Sequence, residues 1–82
     1  MITVRYFANL REIAGKSVDY FERPELSWED FANLIEQSQP KIAELIRGKR
    51  IMVSVNHDVA GPHTIIQSGD EVALLPPFSG GI

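Results

Sequence analysis

The chain ends Phe78-Ser79-Gly80-Gly81-Ile82, and its adjacent glycines are the residues best suited to chemistry. Without Cβ atoms, Gly80 and Gly81 fit a channel that would reject other residues, and they adopt backbone angles closed to those residues. A carboxylate on Gly81 could then be carried to a reactive phosphate inside another protein. Ahead of the glycines stand two stiff prolines, Pro76 and Pro77, then Phe78 and Ser79. Extended, the segment from Pro76 to Ile82 spans roughly 23–25 Å, enough to thread a buried site. The alternative is a frayed, glycine-rich end of the kind many domains have. Ile82 complicates the chemical reading. While it is attached, the last carboxylate belongs to a β-branched residue and not to Gly81.

The other reactive side chains offer less. His57 and His63, with Asp58 nearby, suggest a metal site, but no third ligand stands at a suitable spacing, so the two histidines read as solvated loop residues. Asp70 and Glu71 are sequence neighbours on a strand and point to opposite faces, which favours turn chemistry over a carboxylate dyad. Arg47, Lys49 and Arg50 form a small basic patch, read as a solvated loop before a docking site. No Gly-x-Ser-x-Gly elbow, P-loop or dinucleotide fingerprint is present. The chain has no cysteine, which excludes a disulfide scaffold, a thiolate zinc site, a cysteine-ligated cluster and a cysteine nucleophile. Any sulfur it handles must come from outside. The expectation is a chain with no catalytic residues of its own, no bound cofactor and no metal.

These residues need a scaffold. Ile2 to Phe7 reads as a strand with Ile2, Val4 and Tyr6 on one face and Thr3, Arg5 and Phe7 on the other. From Ala8 to Ala14 the period turns helical, and Gly15 is a natural stop. Ser17 to Arg23 alternates again, Val18 and Tyr20 opposing Asp19 and Phe21, before a turn at Pro24. Ser27 caps a helix with Trp28, Phe31, Leu34, Ile35 and Ser38 along one face, and Asp30 takes the capping-box position. Pro40 interrupts it; Ile42, Ala43, Leu45 and Ile46 give a further helical turn or two before Gly48. Ile51 to Asn56 reads as the central strand, with a turn at His57-Asp58. Thr64 to Ile66 is a brief segment, Gly69-Asp70 a turn, and Glu71 to Leu75 the last strand. The class is α+β. In such a sheet, covered by helices on one side, some apolar residues must land on the open face. Phe7, Val59 and Leu75 are candidates for a partner-binding patch there, with core packing an equal contender for Phe7 and Leu75. Phe78, between prolines and glycines, reads as an anchor.

Composition sets the outer limits. At 82 residues, with 44% hydrophobic and 23% charged residues, the chain is sized for one folded domain. A net charge of −3 argues against nucleic acid and is compatible with a basic partner. No apolar run approaches the ~20 residues of a membrane span, and the N-terminus lacks signal-peptide order. A cytoplasmic protein, without membrane or nucleic-acid partners, is expected.

Phe7-Ala8-x-Leu10-Arg11-Glu12-x-x-Gly15, Val55-Asn56, Gly69-Asp70-Glu71-Val72-Ala73 and Pro76-Pro77-x-x-Gly80-Gly81 occur in that order. Together they resemble the small, sulfur-carrying subunit of molybdopterin synthase. The resemblance covers nearly the whole chain and is weakest in the middle helix. It implies a β-grasp, ubiquitin-like domain over residues 1–75, with a mixed sheet packed on one main helix, and a flexible extended tail over 76–82.

The resemblance also implies a chemistry. An adenylyltransferase related to ubiquitin-activating enzymes uses ATP to activate the carboxylate of Gly81, and a persulfide from a sulfur donor converts it to a thiocarboxylate. The tail then enters the large synthase subunit and gives its sulfur to a pterin precursor of the molybdenum cofactor. Gly81 matches the sulfur-carrying glycine, with Gly80, Ser79 and Phe78 in the inserted tail. Phe7, Val59, Leu75, Pro76 and Pro77 match the partner interface. Arg11 and Glu12 match a signature that a salt bridge, a helix-surface role or a contact would equally explain. Ile82 departs from the pattern, and three explanations stand. A protease removes it, the chain is a relative that does not use the carrier function, or the residue is an extension of no consequence to the fold. Removal is favoured because the rest of the tail matches. Three alternatives remain: a carrier serving thiamine, cysteine or tRNA thiolation; a ubiquitin-like modifier joined through Gly81 to lysines; and a β-grasp interaction module that carries nothing.

Overall fold

A computed structural model describes residues 1–77. The chain runs β1 (Ile2–Tyr6), α1 (Asn9–Ala14), β2 (Val18–Phe21), β3 (Glu25–Leu26), α2 (Trp28–Ser38), α3 (Pro40–Arg47), β4 (Met52–Val55), β5 (Asp58–Val59), β6 (Ile66–Gln67) and β7 (Glu71–Leu75). Local signals set most boundaries. Gly15, at φ 76°, closes α1 in the left-handed region and donates its N–H to the Arg11 carbonyl, a conformation a glycine takes without steric cost. The Ser27 hydroxyl accepts the Asp30 N–H at 3.1 Å and starts α2. Pro40 does not merely end a helix. It stands in the first turn of α3, where its missing N–H leaves no bond unmade.

β2, β1, β7, β4 and β5 form one sheet in that order, and β3 pairs with β6 in a separate ribbon. β1 and β7 run parallel; the other neighbours in the large sheet are antiparallel. This is the β-grasp arrangement, and it puts the last strand, β7, in the middle. β4, read from sequence as central, lies one place out. The hairpin turn also shifts: Asn56 and His57, at φ 51° and 75°, make it, and Asp58 already opens β5. Two consecutive residues in the left-handed region suit the tight turns that match strand twist. β3 escapes the sequence pattern because two residues cannot display alternation.

Alternation sorts the large sheet into two faces. Ile2, Val4 and Tyr6 of β1, Val53 of β4 and Val72 and Leu74 of β7 are buried, and the register sets Val4 beside Val72 and Tyr6 beside Leu74. The helices cover that face. α2 contributes Phe31, Ala32, Leu34 and Ile35; α3 adds Ile42, Ala43 and Ile46. Ser38, assigned from sequence to the inner face, is exposed, and Ala32 lies inside. Side chains such as Phe31 and Ile35, fully out of water, contribute roughly 1.5–3 kcal/mol each. Among the described residues the buried core runs from Ile2 to Leu74.

Tyr6 brings a hydroxyl into this core. It is 1% exposed, and its O–H donates to Asp19 Oδ2 at 2.8 Å. Burial first, then the bond to Asp19 and that carboxylate's charge, push the phenol well above its ordinary value of 10.0. Above pH ~10 the unfolded phenol ionises while the folded one stays protonated, so the unfolded state binds fewer protons and stability falls as pH rises. Denaturant midpoints measured from neutral pH to above 10 are expected to show this alkaline loss, at up to ~1.4 kcal/mol per pH unit. In Tyr6→Phe the loss should shrink, for about 1 kcal/mol of stability at neutral pH. An unchanged alkaline slope in the variant would contradict the assignment.

Candidate functional site

The face of the sheet away from the helices carries the residues singled out from sequence. Cross-strand partners point to the same side, so the register writes out this face in rows. Val18, Arg5, Ala73, Ser54 and Val59 make one row across all the strands; Tyr20, Thr3 and Glu71 make the next. Leu75 stands opposite Met52 at the end where the tail departs. A cleft of about 190 Å³ opens here, with Phe7, Leu75 and Ala73 as its apolar part and Arg5, Glu71, Ser54, Asn56 and His57 around them.

The structure therefore brings Phe7 and Leu75 together and takes both out of the core. Phe7 is 39% exposed and Leu75 half-buried. Val59 lies on the same face by register but outside the cleft, on edge strand β5, and is 77% exposed. Pro76 is half-buried and Pro77 exposed, directly after β7. Expectations for Phe78, Ser79, Gly80, Gly81 and Ile82 lie outside the described residues. Arg11 and Glu12 are exposed on α1, and among the described residues neither enters an ion pair. His57 and His63 are exposed as well.

Several members of this face are not evident from sequence. Arg5 pairs with Glu71 across the β1–β7 seam. Both groups are close to half exposed, so the pair shapes the charge of the face more than the stability of the fold. Tyr20, 58% exposed, extends the apolar area toward β2. The alternation of β1 groups Arg5 with Phe7, but nothing in the sequence announces which strand lies beside β1.

Asn56 ties Val55-Asn56 to Gly69-Asp70-Glu71. Its N–H donates to the Glu71 carbonyl at 2.8 Å, and its side-chain oxygen accepts the Glu71 N–H at 2.9 Å. The amide nitrogen donates to Asp70 Oδ1 at 2.9 Å, while Asp70 Oδ2 accepts the Gln67 N–H at 2.8 Å. Gly69, at φ 96°, donates to the Met1 carbonyl. The hairpin turn is thus locked onto the start of β7, and β7 is fixed at its root before it delivers the tail.

Such an arrangement can present an extended terminus from the centre of a rigid sheet, next to an apolar cleft with one cation and one anion on its floor. Among the described residues no helix is long and apolar enough to cross a membrane. Comparison with known proteins agrees with the fold. The ThiS family matches residues 4–81, stopping one residue short of Ile82. A molybdopterin synthase sulfur carrier subunit from Chlamydomonas reinhardtii is 34% identical, over 98% of each chain. Another from Mycobacterium tuberculosis is 33% identical, over 98% of this chain and 96% of its own. Among solved structures, small archaeal modifier protein 1 from Methanosarcina acetivorans superposes with a TM-score of 0.76 at 26% identity, over 98% of this chain and 95% of that one.

Proposed function

The chain belongs to the ThiS family, and on that premise we propose that it is the sulfur-carrier subunit of a molybdopterin synthase. The observation that carries this reading is the near full-length similarity to molybdopterin synthase sulfur carrier subunits, on a fold whose central strand leads into Pro76 and the di-glycine. Gly81 is the carrier. Its carboxylate attacks the α-phosphorus of ATP on an activating enzyme, pyrophosphate leaves, and the acyl-adenylate is then open to a persulfide. AMP departs, and reductive cleavage of the acyl disulfide by a thiol leaves the thiocarboxylate. No cysteine of this chain is needed.

The open face docks the partner, with Phe7 and Leu75 at the centre of the contact and Val59, Pro76 and Pro77 beside it. Docking holds the tail in place, so the large subunit receives sulfur at an effective concentration no free thiocarboxylate would reach. Ile82 is removed beforehand, in keeping with a family match that ends at Gly81. The chain acts in the cytoplasm, as a domain over 1–75 with the tail over 76–82.

Intact-mass spectrometry on the protein from its native cells tests this. The expected species ends at Gly81 with one carboxylate oxygen replaced by sulfur. Ile82 retained on every molecule, in cells that make the cofactor, would overturn the reading. The likeness to an archaeal modifier protein supports a second reading, conjugation through Gly81, which shares the acyl-adenylate. It would show in the same cells as lysine-linked adducts.

A further inference from the structure

Ala8 holds a backbone conformation that its own side chain disfavours, φ 53° and ψ −132°. L-residues rarely enter this region, and glycine enters it freely. Packing does not demand an alanine, since Ala8 is exposed and gives α1 no side-chain cap. The surrounding hydrogen bonds show what the kink achieves. The Phe7 N–H still belongs to the sheet and donates to the Leu74 carbonyl at 3.1 Å. The Phe7 carbonyl already belongs to the helix and accepts the Leu10 N–H at 3.0 Å, while the Ala8 carbonyl accepts the Arg11 N–H at 3.0 Å. The chain passes from ladder to helix across one residue. Phe7 is held on one side by the strand that leads to the tail and on the other by α1. That helix is itself anchored, through buried Leu10 and through the Ala14 carbonyl, which accepts Gln39 Nε2 at 2.9 Å.

We propose that Ala8 is a positioning residue for the docking face, its strained but stiff backbone holding Phe7 beside Leu75 at the root of the tail. The proposal rests on the carrier reading and names a determinant of partner binding within it. Its logic is a trade between strain and stiffness. Glycine would relieve the strain yet give the hinge between Phe7 and α1 its freedom back. D-Alanine separates the two, because for a D-residue the pair φ 53°, ψ −132° is the mirror image of ordinary extended backbone. It is both unstrained and stiff.

The test compares three chains ending at Gly81: the parent, Ala8→Gly, and one with D-alanine at position 8, made by chemical ligation at Ala32 followed by desulfurisation. The absence of cysteine keeps that route clean. Titrated into the large synthase subunit, Ala8→Gly should bind about five-fold more weakly, from ordering one released residue. Its thermal midpoint should stay within about 4 °C of the parent, because relieved strain and added unfolded-state freedom oppose each other. The D-alanine chain should match the parent in affinity and melt at least about 4 °C higher. Parental affinity in Ala8→Gly, or weak binding by the D-alanine chain, would overturn the proposal. If the parent itself does not bind the large subunit, the carrier reading falls instead. The lock is then judged on the isolated chain by amide relaxation. Order parameters at Phe7 and Asn9 should be ~0.85 in the parent and D-alanine chains and clearly lower in Ala8→Gly. Equal order in all three would refute it.

Discussion

Deleting Gly81 and Ile82 is expected to reduce sulfur transfer below detection while leaving the thermal midpoint within about 4 °C of the full chain. The two halves of this result have separate causes. Stability should persist because the described residues already form a contiguous buried core from Ile2 to Leu74. Transfer disappears because the reacting carbon sits at a fixed distance from the docked domain. Each extended residue adds about 3.3–3.6 Å, and a misplacement of 1 Å already costs on the order of a hundredfold in rate. A chain ending at Gly80 stops short by several times that distance. A chain retaining Ile82 overshoots by the same amount and puts a β-branched side chain where glycine is required. The comparison therefore needs three chains, ending at Ile82, Gly81 and Gly80, each incubated with activating enzyme, ATP and sulfur donor. Only the second should gain sulfur directly, by mass. Sulfur on a chain that still ends in Ile82 would refute the requirement for processing. A drop of ten degrees or more on truncation would show that the end of the chain contributes to the fold after all.

How far the sequence reveals this molecule depends on the range of the interaction that sets each feature. Ser27, Gly15 and Pro40 act within a turn of themselves, and the helix boundaries they imply are those observed. The division of β1 into two faces is equally legible, since alternation is a local property. Register is not. That β7 lies beside β1, or that Arg5 reaches Glu71, depends on residues more than sixty positions apart. No local pattern encodes such a neighbour. The same holds for Asn56, whose side chain makes sense only once the 56–57 turn is seen against the 69–71 turn. The sequence leaves Phe7 and Leu75 open between core and surface for the same reason, because period-2 alternation names two faces without saying which one the helices cover. Ala8 is a different case. Its backbone angle follows from the demand that β1 give way to α1 within two residues, and glycine, not alanine, is the residue expected there.

Phe7→Ala is expected to weaken binding to the large subunit by about 30- to 1,000-fold, the range for loss of a central aromatic anchor. Stability should fall by less than about 1.5 kcal/mol, because the ring, 39% exposed, gives up only part of a full burial. Val59→Ala tests position against type. Val59 is more exposed than Phe7 but stands on an edge strand outside the cleft, so it belongs to the rim and its loss should cost less than about ten-fold. Lys41→Ala supplies the control. Lys41 is exposed on α3, on the far side of the sheet from the cleft, and its removal should leave affinity unchanged. Titration calorimetry with the large subunit decides among these. Equal losses at Phe7 and Val59 would mean that the contact is not centred on the cleft, and a loss at Lys41 would move it to the helices. The same variants assayed against the activating enzyme carry the argument one step further. The tail leaves the sheet at one point, beside one apolar face, so a partner that must hold Gly81 in a reactive geometry has that face to grip. Parallel losses against both proteins would mean that they compete for it. Loading and delivery would then have to occur in sequence, with the domain released from one partner before it engages the other.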